Sequence, residues 1–188
     1  MTALWMVRHG PTHAKAMIGW TDLPADLSDT AAIDRLRTAL PSAPVVSSDL
    51  IRAVETATAI GHTPRLPHDA ALREINFGDW DGQTFAEAEA RDPALIRAYW
   101  ETPGDIAPPN GESWNMVRTR VDGAIDRYVA MGHSDIIVVA HFGVILTQVQ
   151  RALGIDAYAA FGHKISNLSI TKIQTGTAWD APLINHVA

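Results

Sequence analysis

Three short apolar runs, Leu4–Val7, Val45-Val46 and Ile136–Ala140, limit the folds open to this chain: each lacks a helical period, and segments of helical spacing lie between them. Residues 29–40 place Ile33, Leu36 and Leu40 at helical intervals until Pro41 and Pro44 end the pattern. Ser47-Ser48-Asp49 are good N-capping residues, and Leu50, Ala53, Val54, Ala57 and Ile60 continue from them at i, i+3, i+4 and i+7. Trp114, Val117, Val121, Ile125 and Val129 mark a long amphipathic helix, and Val144 to Leu153 predicts another. Ile165 to Ile173 alternates like a half-exposed strand. Strands alternating with helices predict an α/β fold, a central mostly parallel sheet with helices on both faces. The 188 residues suit a single domain, 1–188. Its middle, from about 77 to 110, is rich in Gly, Pro, Asp and Trp. It reads as a partly helical insertion, with helical pieces around 84–91 and 94–101, near a site entrance.

Composition removes several kinds of chemistry. The chain has no cysteine, so disulfides, thiolate nucleophiles and zinc-thiolate sites are all excluded. Apolar residues never run unbroken for the roughly 18 that a membrane helix needs, and no basic leader precedes an apolar stretch. The expected location is cytoplasmic, with no membrane partner. A formal charge of −6 argues against a nucleic-acid partner, which calls for an extended basic face. Any anion must therefore be held by locally concentrated positive charge.

That concentration is expected where the strands end, because α/β sheets bind ligands beyond the carboxyl ends of their strands. Arg8 and His9 follow the first strand, Arg52 follows the second through a capping turn, and His141 follows the third. Two guanidinium forks and two imidazoles describe a pocket for a tetrahedral oxyanion such as phosphate. A neutral imidazole is a competent nucleophile at phosphorus, and His9 is suited to it if one ring nitrogen donates to a backbone carbonyl and the other stays bare. Arg8, Arg52 and His141 would then stabilise the charge that spreads over the equatorial oxygens. A carboxyl group must protonate the leaving oxygen and later deprotonate water. Glu74, set among apolar residues in Leu72-Arg73-Glu74-Ile75, is the best candidate. Burial would raise its pKa and neighbouring cations would lower it, a balance that the sequence leaves open. His9 and His13 have the i, i+4 spacing of a helical zinc pair, but Gly10 and Pro11 between them break the helix such a pair needs, so no metal is expected.

Arg8-His9-Gly10-Pro11-Thr12 resembles the signature of the histidine phosphatase superfamily, the phosphoglycerate mutase-like proteins. The resemblance continues collinearly through Ser47–Ala57, Leu72–Gly82, Pro109–Ser113 and Val138–Gly143. It implies the phosphoglycerate mutase-like fold, the small phosphatase branch, and hydrolysis of a small phosphorylated metabolite. It also implies roles: His9 the phosphorylated nucleophile, Arg8, Arg52 and His141 phosphate ligands, Glu74 proton donor and acceptor, and Thr12 an added hydroxyl. No organic cofactor or metal is implied. Lys15 stands where the family usually has asparagine, and either adds charge to the phosphate pocket or lies outside it. Phe142 stands where the family usually has glycine; its N–H stays open to phosphate while its ring narrows the pocket. A phosphoglycerate-type mutase and a catalytically silent phosphate-ligand-binding relative remain as alternatives. Substrate identity, among sugar phosphates, phosphoglycerates and nucleotide-loop phosphates such as α-ribazole phosphate, is not legible, and neither is oligomeric state. The six tryptophans read as core or loop packing, though Trp20 and Trp80 fall where a substrate could touch them.

Overall fold

The computed structural model describes residues 1–188. Five strands form one sheet in the order β2-β3-β1-β4-β5, with β1 at Ala3–Arg8, β2 at Val45–Ser47, β3 at Asp135–Ala140, β4 at Ile170–Gln174 and β5 at Asp180–His186. The three strands read from apolar runs are its parallel part: β1 and β2 each pair in parallel with β3, while β4 and β5 join antiparallel. β3 lies between two neighbours and beneath helices on both faces, which is why Ile136–Ala140 is apolar throughout and fully buried.

Alternate side chains along the strands feed two cores. Leu4, Met6, Val46, Ile136, Val138 and Ala140 pack with Val117, Val121 and Ile125 of α5 (Trp114–Ala130) and with Val144, Ile145 and Val149 of α6 (Phe142–Leu153). Val7, Val45, Ile137 and Val139 point the other way, against Leu36 of α1 (Thr30–Ala39) and Ala53, Ala57 and Ile60 of α2 (Ile51–Ile60). The segment between Glu74 and α5 contains α3 (Phe85–Arg91) and α4 (Pro93–Glu101), and α7 (Ala157–Phe161) follows α6. No helix is long and apolar enough to cross a membrane.

Register decides where the strand ends meet. Arg8 lies opposite Ala140 and Ser47 opposite Val139, so β1, β2 and β3 finish level at one edge. Residues 8–9, 48–52 and 141 leave the sheet side by side.

Three local expectations need correction. Residues 165–169 are not strand, and β4 begins only at Ile170. Leu168 adopts φ +59°, the Ile165 carbonyl accepts from Arg8 Nη1, and Asn167 Nδ2 donates to the His9 carbonyl, so this stretch is spent on the strand edge rather than on a ladder. α6 begins at Phe142, two residues earlier than its apolar spacing indicates. The N-cap of α2 is Leu50, without a side-chain cap; Asp49 instead makes a bidentate pair with Arg73. The first N–H of α2, on Ile51, donates to Asp22 Oδ1 at 2.7 Å, a cap supplied from 29 residues away.

Candidate active site

β1 stops at Arg8 because Gly10 and Pro11 cannot extend the ladder. The backbone of His9 is nevertheless fixed on both sides, its N–H donating to the Ala140 carbonyl at 3.0 Å and its carbonyl accepting from Asn167 Nδ2 at 2.8 Å. Its ring Nδ1 lies 2.6 Å from the Gly10 carbonyl, a contact that only a protonated Nδ1 can make, so Nε2 carries the lone pair. Burial pushes the His9 pKa down to about 3; the bond to Gly10 opposes this, and the charges of Arg52 and Arg8 add to it. The imidazole is neutral at neutral pH.

His141 caps α6, and its ring centre stands 5.0 Å from that of His9. It is fully buried, and neither ring nitrogen has a partner within the chain. Burial first, then the neighbouring His9 ring and the positive charges of Arg52, Arg120 and Arg8, hold its pKa well below the usual imidazole value. Buried polar groups normally have partners, so a pair of orphaned ring nitrogens marks a place where a ligand supplies them. The buried and unpartnered Arg8 Nε adds a third such group.

The two arginines are aimed by carbonyls. Arg52, only 1% exposed, donates Nη1 to Thr21 and Nη2 to Gly19, at 2.9 and 2.6 Å. One turn along α2, Thr56 Oγ1 donates to the Arg52 carbonyl and accepts from Gly10 N–H, joining the helix to the turn after His9. Arg8 donates Nη1 to Ile165, and its guanidinium lies 5.5 Å from the centre of the Phe142 ring.

Glu74 reaches the site from the loop between β2 and α5 with its carboxyl against the start of α6. Oε1 accepts from Ile75 and Gly143 N–H, both at 3.0 Å. Burial raises its pKa, while the Ile75 hydrogen bond, Arg52, Arg8 and the Gly143 hydrogen bond pull it down and lose. Desolvation wins the balance that the sequence left open. A Cβ on residue 143 would stand 2.5 Å from Oε1, so glycine is what lets the carboxyl approach the helix.

A strap from Met17 to Asp22 covers these groups. Asp81 accepts from the N–H groups of Gly19, Trp20 and Thr21, and Trp20 Nε1 donates to the Glu74 carbonyl at 2.9 Å. Of four surface cavities of about 280 to 500 Å³, one is lined by Glu112 and Arg120 and another by Asn167, and none by His9, Arg52, Glu74 or His141.

Arg8, His9, Arg52, Glu74 and His141 thus converge from four separate segments. Thr12 is half-buried, and Phe142 opens α6 beside Arg8. Lys15 is exposed and forms no ion pair. Trp80 packs in the core: a 3₁₀ turn at Gly78–Trp80 sets its ring edge-on to Tyr99 and away from any substrate. Trp20 stays at the edge of the site, beneath Arg73. His13 turns outward to Asp26 and away from any pairing with His9. Thr56, Asn167, Asp81, Glu112 and Arg120 also shape the site. Sequence reasoning gave none of them a role, although Thr56, Asp81 and Glu112 lie in the matching segments Ser47–Ala57, Leu72–Gly82 and Pro109–Ser113.

A profile of the histidine phosphatase superfamily (branch 1) matches residues 4–181. A bifunctional protein of Mycobacterium tuberculosis is 32% identical over 98% of this chain, which spans about half, 54%, of that relative. The glucosyl-3-phosphoglycerate phosphatase of Mycolicibacterium vanbaalenii is 35% identical over 85% of this chain and 78% of its own length. Among solved structures, Bacillus stearothermophilus YhfR superposes with a TM-score of 0.89 at 27% identity, covering 100% of this chain and 98% of that one.

Proposed function

The chain belongs to the histidine phosphatase superfamily, and from that premise we propose that it is a phosphomonoesterase working through a phosphohistidine on His9. The observation that carries the reading is the His9 ring, whose Nδ1 is tied to the Gly10 carbonyl and whose bare Nε2 sits in a buried space with two guanidinium groups and the unpartnered His141 ring.

In the first half-reaction Nε2 forms a bond to phosphorus as the bond from phosphorus to the leaving oxygen breaks. That oxygen keeps the bonding pair and takes the Glu74 proton. The elevated Glu74 pKa suits an acid that is protonated before attack. Arg8, Arg52 and His141 bear on the phosphoryl oxygens, where charge accumulates. In the second half-reaction water attacks phosphorus and passes a proton to the Glu74 carboxylate. The bond from nitrogen to phosphorus breaks, returning neutral His9, protonated Glu74 and inorganic phosphate.

The substrate is a small organic phosphate. The relative named for glucosyl-3-phosphoglycerate brings sugar-acid phosphates into the panel to be assayed, beside α-ribazole phosphate and simple sugar phosphates. Incubation with this panel is expected to release inorganic phosphate without a bisphosphate primer, and enzyme quenched without acid is expected to carry phosphate on His9 by mass spectrometry. His9→Ala should abolish both. Turnover that persists in His9→Ala refutes the covalent route, and interconversion of 2- and 3-phosphoglycerate faster than hydrolysis reassigns the chain as a mutase.

A further inference from the structure

Glu74 sits in a stretch, residues 73–77, that belongs to no helix or strand. Its backbone polar groups have no ladder to join, yet a proton donor must be held to a fraction of an ångström, since a misplacement of about 1 Å can cost roughly 100-fold in rate. The missing ladder is replaced by two side chains. Arg120, on α5, donates Nη1 to the carbonyls of Ala71 and Arg73 at 2.9 and 2.7 Å and Nη2 to the carbonyl of Glu74 at 2.8 Å. Its Nε and Nη2 also grip Glu112, at 2.7 and 2.8 Å. Glu112 in turn binds both backbone groups of Asn76: Oε2 accepts from Asn76 N–H at 2.9 Å, and its own N–H donates to the Asn76 carbonyl at 2.8 Å. Glu74 is therefore flanked by anchors before and after it.

We propose that Arg120 and Glu112 are positioning residues for Glu74, a brace that holds the proton donor against α6. The proposal rests on Glu74 being that donor. Arithmetic separates this role from phosphate binding. A guanidinium has five N–H donors, and all five of Arg120 are engaged with three carbonyls and one carboxylate, leaving none for substrate. The pair is also secluded, with side chains only 18% and 12% exposed. A lysine could keep the charge but not the fork, because an ammonium cannot span these acceptors.

The test uses the full chain with Arg120→Lys, Glu112→Gln and Glu74→Gln, each checked for folding by thermal melting. Glu112→Gln, the nearest in shape, carries the test if Arg120→Lys does not fold. kcat and KM are measured with p-nitrophenyl phosphate, whose leaving group departs without a proton, and with glycerol 3-phosphate, whose leaving group does not. The brace variants should lose roughly 10- to 100-fold more kcat on glycerol 3-phosphate than on p-nitrophenyl phosphate, with KM nearly unchanged. Combined with Glu74→Gln, they should add less than about threefold, since they act through the same group. Equal losses on both substrates, or an undiminished loss on top of Glu74→Gln, overturn the brace while leaving the phosphatase reading intact. If Glu74→Gln itself shows no leaving-group dependence, the assignment of Glu74 falls and the brace falls with it.

Discussion

At the scale of single residues, burial disfavours the charged form of both His9 and Glu74 although one is a base and the other an acid. Low polarity penalises the ionised form of each, so the imidazole pKa drops to about 3 and the carboxyl pKa rises. Both shifts favour the forms that the proposed first half-reaction uses, a neutral nucleophile and a protonated donor. The expected dependence follows: kcat/KM is limited on the acid side by protonation of His9 near pH 3, and declines on the alkaline side as Glu74 loses its proton through its raised pKa. Glu74→Gln should remove the alkaline decline and lower kcat by roughly 10²- to 10⁴-fold on alkyl phosphates. A pH profile of the Gln variant that keeps the same alkaline limb would assign that limb to another group.

Between elements, the contact between the start of α6 and the Glu74 segment has little room to spare. Replacing a helical glycine by alanine ordinarily stabilises by up to about 1 kcal/mol, because glycine loses more backbone freedom on folding. Gly123, exposed on α5 with nothing within 4 Å of a new Cβ, should follow that rule, and urea unfolding of Gly123→Ala should shift to higher midpoint. Gly143 should break it: its Cβ would stand 2.5 Å from Glu74 Oε1 and 2.9 Å from Ile75 side-chain atoms. Gly143→Ala is expected to cost about 1–3 kcal/mol and to lower kcat with it. Stabilisation at both positions would mean that the Glu74 carboxyl does not lie against the helix. The strap over the site follows the same logic of elements held by remote partners, since Asp81 secures three of its N–H groups and Arg52 two of its carbonyls.

For the whole molecule, the buried imidazoles set an acid limit on stability. His9 and His141 have folded pKa values below the unfolded value of 6.5, so the unfolded chain takes up protons that the folded one refuses. Their contribution is complete above pH 6.5 and is lost as pH falls toward the folded values. Glu74 acts in the opposite sense, its raised pKa favouring the fold at low pH. Urea midpoints should therefore fall between about pH 7 and pH 4, and the fall should be shallower in His141→Asn, which has no proton to refuse. An identical slope in that variant would show that His141 is not the buried neutral group described above. The amino-acid sequence by itself determined the three parallel strands and the residues at their ends. Short apolar runs and breakers such as Gly10-Pro11 act within a few residues, and the Arg-His pair follows its strand directly. It did not determine β5, an edge strand that contains Pro182 and whose pairing with β4 shifts register, or the turn at 165–169, whose alternation imitates a strand. Nor did it determine the Asp22 cap on α2, the Arg120–Glu112 brace or the direction of the Glu74 pKa shift. Those depend on partners brought together from distant positions and on how much water the packed site excludes, quantities that exist only once the chain has folded.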